Sequence, residues 1–310
     1  MSAAGSSLSP AGEPLVLAIY GPTASGKSDV AEAVASRIPA EIVSADAMQA
    51  YRGLPILTNQ SPARLVGIWP LDHDGSVGEY ERLAHEAVDE ALAAARTPIV
   101  VGGTGLYLRA ALAELDLPAP PEPGTRERWE TLYDQDAAHA HLVLAEHDCA
   151  AAARVHPNDR RRVVRALELT ELGRSLRPSR DRLWATETRH PTIVFGLDVP
   201  KELLDARIEQ RTAAMFERGV EEEVRRALLR PISSTAASIH GLRAIAELPR
   251  DAAFESLAQS TRKYAAYQRK WMRRIPGIVS LRADRPTDEV ADEILEVARA
   301  RQRLPARRAG

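Results

Sequence analysis

Residues 15–28 read LVLAIYGPTASGKS: an unbroken apolar run, a loop bracketed by glycines, and a lysine-serine pair opening an amphipathic stretch. Followed by the helical text DVAEAVASRI, this order predicts a strand, a tight loop and a helix at the start of the fold. Gly21, Pro22, Thr23, Ala24, Ser25, Gly26, Lys27 and Ser28 fit the pattern G-x-x-x-x-G-K-[ST]. The glycines let successive backbone N–H groups turn toward one point, where the helix N-terminus adds its partial positive charge. Lys27 supplies an ammonium, and Ser28 a hydroxyl suited to Mg²⁺. These eight residues form an expected phosphate cradle. The loop alone does not say whose phosphates it holds, ATP being only the commonest answer.

Further apolar runs follow at Glu41–Ala45, Pro98–Val101, Thr192–Leu197 and Ile278–Leu281. Five runs separated by helical text predict an α/β fold, a P-loop NTPase-like parallel sheet flanked by helices. Helices are expected to about Ile38, over Glu79–Ala95, Leu106–Leu112 and Asp251–Arg274, with a helix-turn at Ser238–Leu248. Residues 54–78 show no regular pattern. From Thr125 to about residue 184 the text is helical, and LPAPPEPG at 117–124 marks a boundary before it. This predicts an all-helical insertion at 118–189 within a core of 14–117 and 190–300, with disordered ends at 1–13 and 301–310.

In open parallel sheets ligands gather at the carboxyl ends of the strands. Asp46, just past the second run, therefore shares an edge with the phosphate loop as a candidate base or indirect metal ligand; the alternative is a cap. Thr104, in Gly102-Gly103-Thr104-Gly105, presents a hydroxyl at the same edge, although a tight turn explains those glycines equally well. Arg211 falls on the apolar stripe of Leu204, Ile208 and Met215, with Arg207 one turn earlier. An inward arginine wants an anion; the alternative is that Arg211 snorkels or pairs with a carboxylate. On the last long helix Phe254, Leu257, Thr261, Tyr264, Gln268 and Trp271 share one face, read as core.

At 310 residues and 45% hydrophobic content the chain supports a sizeable core. One cysteine, Cys149, excludes a disulfide framework and a Cys-rich zinc site, and is expected to be buried as a small apolar residue. The first residues carry no secretory signature, and no run reaches membrane-spanning length, so a cytoplasmic protein without membrane contact is expected. Net charge is only −2, yet basic residues cluster at Arg154–Arg182 and again at Arg262, Lys263, Arg269, Lys270, Arg273 and Arg274. Such patches in a near-neutral chain suit a polyanion held at one surface. His139, His141 and His147 lack partners at ligand spacing and read as solvated helix faces.

Six segments, GPTASGKS, SADAMQAYRG, VGGTGLYLRA, HPNDRRRVVRALEL, RIEQRTAAMFERGVEEEVRRAL and TRKYAAYQRKWMRR, occur in the order in which the chain resembles the tRNA dimethylallyltransferase family. The resemblance implies transfer of a dimethylallyl group from dimethylallyl diphosphate to N6 of the adenosine immediately 3′ of the tRNA anticodon. Diphosphate is released, no ATP is consumed, and no obligatory protein partner is implied. It places the diphosphate and Mg²⁺ at Gly21–Ser28, with Ser28 on the metal and Thr23 also beside the prenyl group. Asp46 takes the proton, and Thr104 and Arg211 assist the leaving diphosphate. The helical insertion grips the anticodon stem-loop. RNA contacts fall to Asp46, Ala47, Met48 and Gln49, to Arg126, Arg161, Arg162 and Arg165, and to Ser238, Gly241 and Arg243.

The chain departs from the family pattern where Asp-Ser reads Asp46-Ala47, where His-Leu-Ile-Asp reads Arg64-Leu65-Val66-Gly67, and where Gly-Tyr reads Gly241-Leu242. Three other readings remain open on sequence. A cytokinin-type transferase would prenylate free adenine nucleotides, and a P-loop kinase of a small metabolite would need Asp46 or Asp198 as its metal-side acid. A non-catalytic RNA-binding module would keep only the fold.

Overall fold

The computed structural model describes residues 15–115, 117–118, 121–176 and 185–303. The expected disordered start at 1–13 lies outside these residues, as do Arg177, Arg180 and Arg182 of the first basic cluster. Five strands, β1 (Val16–Tyr20), β2 (Ala40–Ser44), β3 (Thr97–Gly102), β4 (Thr192–Asp198) and β5 (Val279–Arg282), form one sheet in the order β2-β3-β1-β4-β5. Every pairing is parallel, and the register sets Tyr20 opposite both Gly102 and Gly196. Strand β1 is buried along its whole length, as its unbroken apolar text requires of a central strand. The carboxyl ends of β1, β2 and β3 open on one edge, which places the loops after Tyr20, Ser44 and Gly102 side by side.

Helix α1 (Lys27–Ala35) follows the phosphate loop, α2 (Val77–Ala93) precedes β3 and α3 (Gly105–Leu112) follows it. Residues 54–76 run as turns tied to β2 by an isolated bridge between Val43 and Arg64, and to the loop after β2 by one between Tyr51 and Trp69. That explains why their text shows no period. After β4 come α8 (Lys201–Glu217) and α9 (Val220–Ala227), then the short α10 (Ser234–Ala237) and α11 (Leu242–Glu247), and the long α12 (Arg250–Met272). A final helix, α13 (Thr287–Arg303), is absent from the sequence expectation, and it enters the stretch expected to be a disordered tail. Its Val290, Ala291, Ile294, Leu295 and Ala298 are buried in the same core as Val30 and Val34 of α1. Arg37 pins the pair by reaching Asp288 at 2.6 Å and Asp292 at 3.0 Å. No helix among the described residues is long and apolar enough to cross a membrane.

The chain divides into two compact units, one made of the residues up to 114 and from 184 onward, the other of 115–183. The second unit is helical: α4 (Thr125–Gln135), α5 (Ala137–His147), α6 (Cys149–Ala152) and α7 (Arg160–Glu171). Three aspartates start three of these helices, Asp136 accepting from the His139 N–H, Asp148 from Ala151 and Asp159 from Arg162. Tyr133, Leu144, Val163 and Leu167 form its own core. Two expectations are corrected here. Cys149 is exposed, because it opens α6 directly after its cap. His141 is not a solvated residue: its Nε2 lies 2.9 Å from the Val155 carbonyl and ties α5 to the end of the next turn.

Candidate functional site

The phosphate loop packs as its sequence demands. Gly26 sits at φ 86°, a left-handed conformation that favours glycine, and hands the chain to α1. Lys27 Nζ donates to the Pro22 carbonyl at 2.7 Å, so the loop is bridged by its own lysine. Ser25 is buried, with a hydroxyl that has no hydrogen-bond partner among the described residues. Thr23 N–H donates to Gln268 Oε1 at 2.7 Å, and the Gln268 amide in turn donates to the Gly103 carbonyl at 2.9 Å. One α12 side chain therefore joins the phosphate loop to the second glycine run.

That second run turns out to be more than a tight turn. A Cβ on Gly102 would lie 2.1 Å from the Ala45 carbonyl oxygen, one on Gly103 would lie 2.2 Å from Gln268 Nε2, and one on Gly105 would lie 2.1 Å from the Trp271 ring. Only glycine lets the end of β3 approach both the Asp46 segment and α12 this closely. Thr104 accepts from the Ala47 N–H at 3.3 Å, and its hydroxyl lies 3.4 Å from the Tyr264 hydroxyl. Met48 N–H donates to Asp46 Oδ1 at 2.9 Å, and Oδ2 has no hydrogen-bond partner among the described residues.

A cleft of about 600 Å³ opens along this edge, lined by residues 23–30 of the loop and α1, by Asp46, Met48 and Gln49, and by Arg211. Arg211 comes from α8 and donates to the Thr23 hydroxyl, so it faces the phosphate loop, with the Asp46 carboxylate near enough to act on its charge. Burial pushes Lys27 down to about 8, against the pull of Asp46 and with help from Arg211. Burial also lowers Arg211, opposed by Asp46. Two cations held together at some electrostatic cost form a site that an anion relieves. Burial raises the Tyr264 hydroxyl, with Asp46 adding to the shift, so it stays protonated.

Several side chains that the sequence assigned to the core line the cleft as well. Leu257, Thr261, Tyr264 and Gln268 all line the cleft, where the helical face was read as core. Period alone cannot separate a core face from the wall of a cleft. His240 also lines it, its ring 5.5 Å from that of Tyr264. Asp198 pairs with Arg269 at 3.3 Å and is absent from the lining, where the acids are Asp29, in the first turn of α1, and Asp46. Of the neighbouring segment, Gly241 adopts φ 84° and Leu242 is buried, while Ser238 and Arg243 are exposed, Arg243 pairing with Glu247 at 2.9 Å.

In the helical unit, the carboxylate of Glu168 is fully buried and accepts from Arg126 at 2.6 Å and Arg165 at 2.8 Å. Arg162 pairs with Asp159 at 3.2 Å. Arg161 is exposed and has no hydrogen-bond or ion-pair partner among the described residues.

The chain matches the IPP transferase family model over residues 49–275 and the isopentenyl transferase model over 14–62. It is 39% identical over 293 residues to a tRNA dimethylallyltransferase of Thermobifida fusca, spanning 87% of this chain and 91% of the relative. Identity to a tRNA dimethylallyltransferase 2 of Mycobacterium marinum is 39% over 311 residues, spanning 91% and 98%. The fold is similar to the crystal structure of a tRNA isopentenylpyrophosphate transferase from Bacillus halodurans, with a TM-score of 0.68, 28% identity, and coverage of 94% and 98%.

Proposed function

The chain belongs to the IPP transferase family, whose members prenylate tRNA, and on that premise we propose how its own residues carry out the transfer. The substrates are dimethylallyl diphosphate and the adenosine immediately 3′ of the anticodon. One observation carries the reading: Asp46, with a free carboxylate oxygen, lines the same cleft as Lys27 and Arg211.

Gly21–Ser28 wraps the diphosphate with backbone N–H groups, and Lys27 exchanges the Pro22 carbonyl for phosphate oxygen. Adenine N6 attacks the allylic carbon. The carbon–oxygen bond breaks, and its electron pair leaves on the diphosphate. Lys27 and Arg211 neutralise that growing charge in the transition state. The proton released by N6 passes to Asp46 Oδ2, while the Met48 N–H holds Oδ1 still. Thr104 fixes the Ala47 backbone on one side and the Tyr264 hydroxyl on the other, so the proton-accepting carboxylate keeps its aim.

The site fits Mg²⁺. Ser28 lines the cleft with its hydroxyl 3.4 Å from that of Ser61, and Asp46 shares the same lining. Such a cation takes most of its oxygens from phosphate and water and needs one or two from protein. When bound it would add charge neutralisation at the leaving group, with Ser28 as its protein ligand and Asp46 acting indirectly. The helical unit supplies the RNA grip through Arg161 and Arg162, with Arg126 and Arg165 presented from the Glu168 pairs. Ala47, Met48, Gln49, Ser238, Gly241 and Arg243 meet the nucleotides around the target. A tRNA acceptor and the lone cysteine suit the cytoplasm.

The test is mass spectrometry of nucleosides from an anticodon stem-loop RNA incubated with the protein, dimethylallyl diphosphate and Mg²⁺. Prenyladenosine at the position after the anticodon is the expected product. Prenylated AMP with unmodified RNA would overturn the acceptor, and diphosphate release without any prenylated base would overturn the transfer.

A further inference from the structure

His240 stands in the cleft wall with an unmet need. Its Nε2 is buried and has no hydrogen-bond partner among the described residues. A polar atom left in that condition carries a desolvation penalty that a bound group would remove. Gly241, next in the chain, is left-handed, and a Cβ there would lie 2.4 Å from Leu257 Cδ1, so the segment is seated against α12. On its open side the ring lies beside Tyr264, tilted 35° to it. Tyr264 leads through Thr104 to Ala47 and so to Asp46. Tyr264 thus stands near enough to Asp46 to feel its charge, and His240 lines the same cleft beside that ring.

Two ligand parts compete for that wall, a hydrocarbon prenyl group and a purine. Against the prenyl group Nε2 would stay unpaired and the penalty would remain. A purine offers ring nitrogens as acceptors on both sides of its amine and a flat face for Tyr264. Resting on the transferase reading above, we propose that His240 is a specificity-determining residue whose Nε2–H donates to N1 or N7 of the target adenine. The contact holds N6 toward Asp46 and gives the site a means of recognising the base as well as its amine.

The experiment uses the full-length protein with three stem-loops carrying adenosine, 1-deazaadenosine or 7-deazaadenosine at the target. Single-turnover prenylation is compared for wild type, His240→Leu and His240→Gln. Wild type is expected to lose about tenfold on one of the two deaza substrates, the size of one hydrogen bond to a bound base. His240→Leu should lose a similar factor on adenosine and nothing further on that same analogue. His240→Gln, which keeps a donor, should recover part of the loss. Unchanged KM for dimethylallyl diphosphate in both variants verifies that they fold. If wild type treats all three substrates alike, or if His240→Leu discriminates among them as wild type does, the assignment is overturned. Failure of wild type to prenylate even the adenosine stem-loop would instead overturn the transferase reading, so the two failures are distinct.

Discussion

At the scale of single residues the site depends on a carboxylate with one oxygen held and one free. Asp46→Asn removes the proton acceptor while keeping the Met48 contact. It should lower the single-turnover rate on the order of 100- to 10,000-fold, with little change in KM for the prenyl diphosphate. Equal loss in both parameters would show that Asp46 binds the donor and does not take the proton. The phosphate loop was readable because its chemistry is contiguous: eight neighbouring residues carry the glycines, the lysine and the hydroxyl. Asp46 was readable because it ends an apolar run that must be a strand. Gln268 and Tyr264 were not, since they meet the loop only after α12 folds across it, bringing together residues 245 positions apart in one hydrogen bond. Arg211 lay between these cases, its inward direction visible in the period and its partner decided only in three dimensions.

Among the elements, the meeting of β3 with the end of β2 is the least tolerant of change. Gly102→Ala would drive a Cβ against the backbone oxygen of Ala45, and Asp46 is the next residue. Destabilisation of about 2–3 kcal/mol is expected from the overpacking. Activity should fall by about 100-fold through displacement of the carboxylate. Urea unfolding and prenyl transfer measured on the same sample check both. In the helical unit, α4 and α7 are joined through Glu168. Burial alone would raise its carboxyl, yet the hydrogen bonds from Arg126 and Arg165 outweigh it and hold it below the ordinary value of 4.5. A lowered folded value means the contribution is present in full above that pH and is lost as pH falls through the folded value. Glu168→Gln should therefore cost the unit about 1–2 kcal/mol near neutrality, discounted for the partly exposed arginines, and the deficit should vanish in strong acid. Amide exchange over 125–171 reads this directly. Helix α13 escaped the sequence reading although Val290, Ala291, Ile294, Leu295 and Ala298 carry a clear helical spacing. Its arginine-rich end resembled a solvated tail, and its buried face has meaning only against α1.

For the whole molecule, alternation of strands and helices predicted the parallel sheet, but the strand order needed the pairings themselves. The near-zero net charge concealed which arginines are free to meet a polyanion, because Arg126, Arg160, Arg162 and Arg165 are all engaged with carboxylates. Arg161 is the exposed exception in that run. Arg161→Ala should weaken stem-loop binding and reduce the slope of log K against log salt by about 1, leaving KM for the donor unchanged. Fluorescence titrations at several salt concentrations provide the check. The Gln268 amide carries a last consequence. It grips the phosphate loop through Thr23 and the Thr104 loop through Gly103, on the same helix that bears Tyr264. On the proposed reading, the donor's seat and the acceptor's wall hence share an anchor. Thermodynamic reciprocity then ties them: whatever factor one substrate imposes on the affinity of the other through this amide must be returned in equal measure.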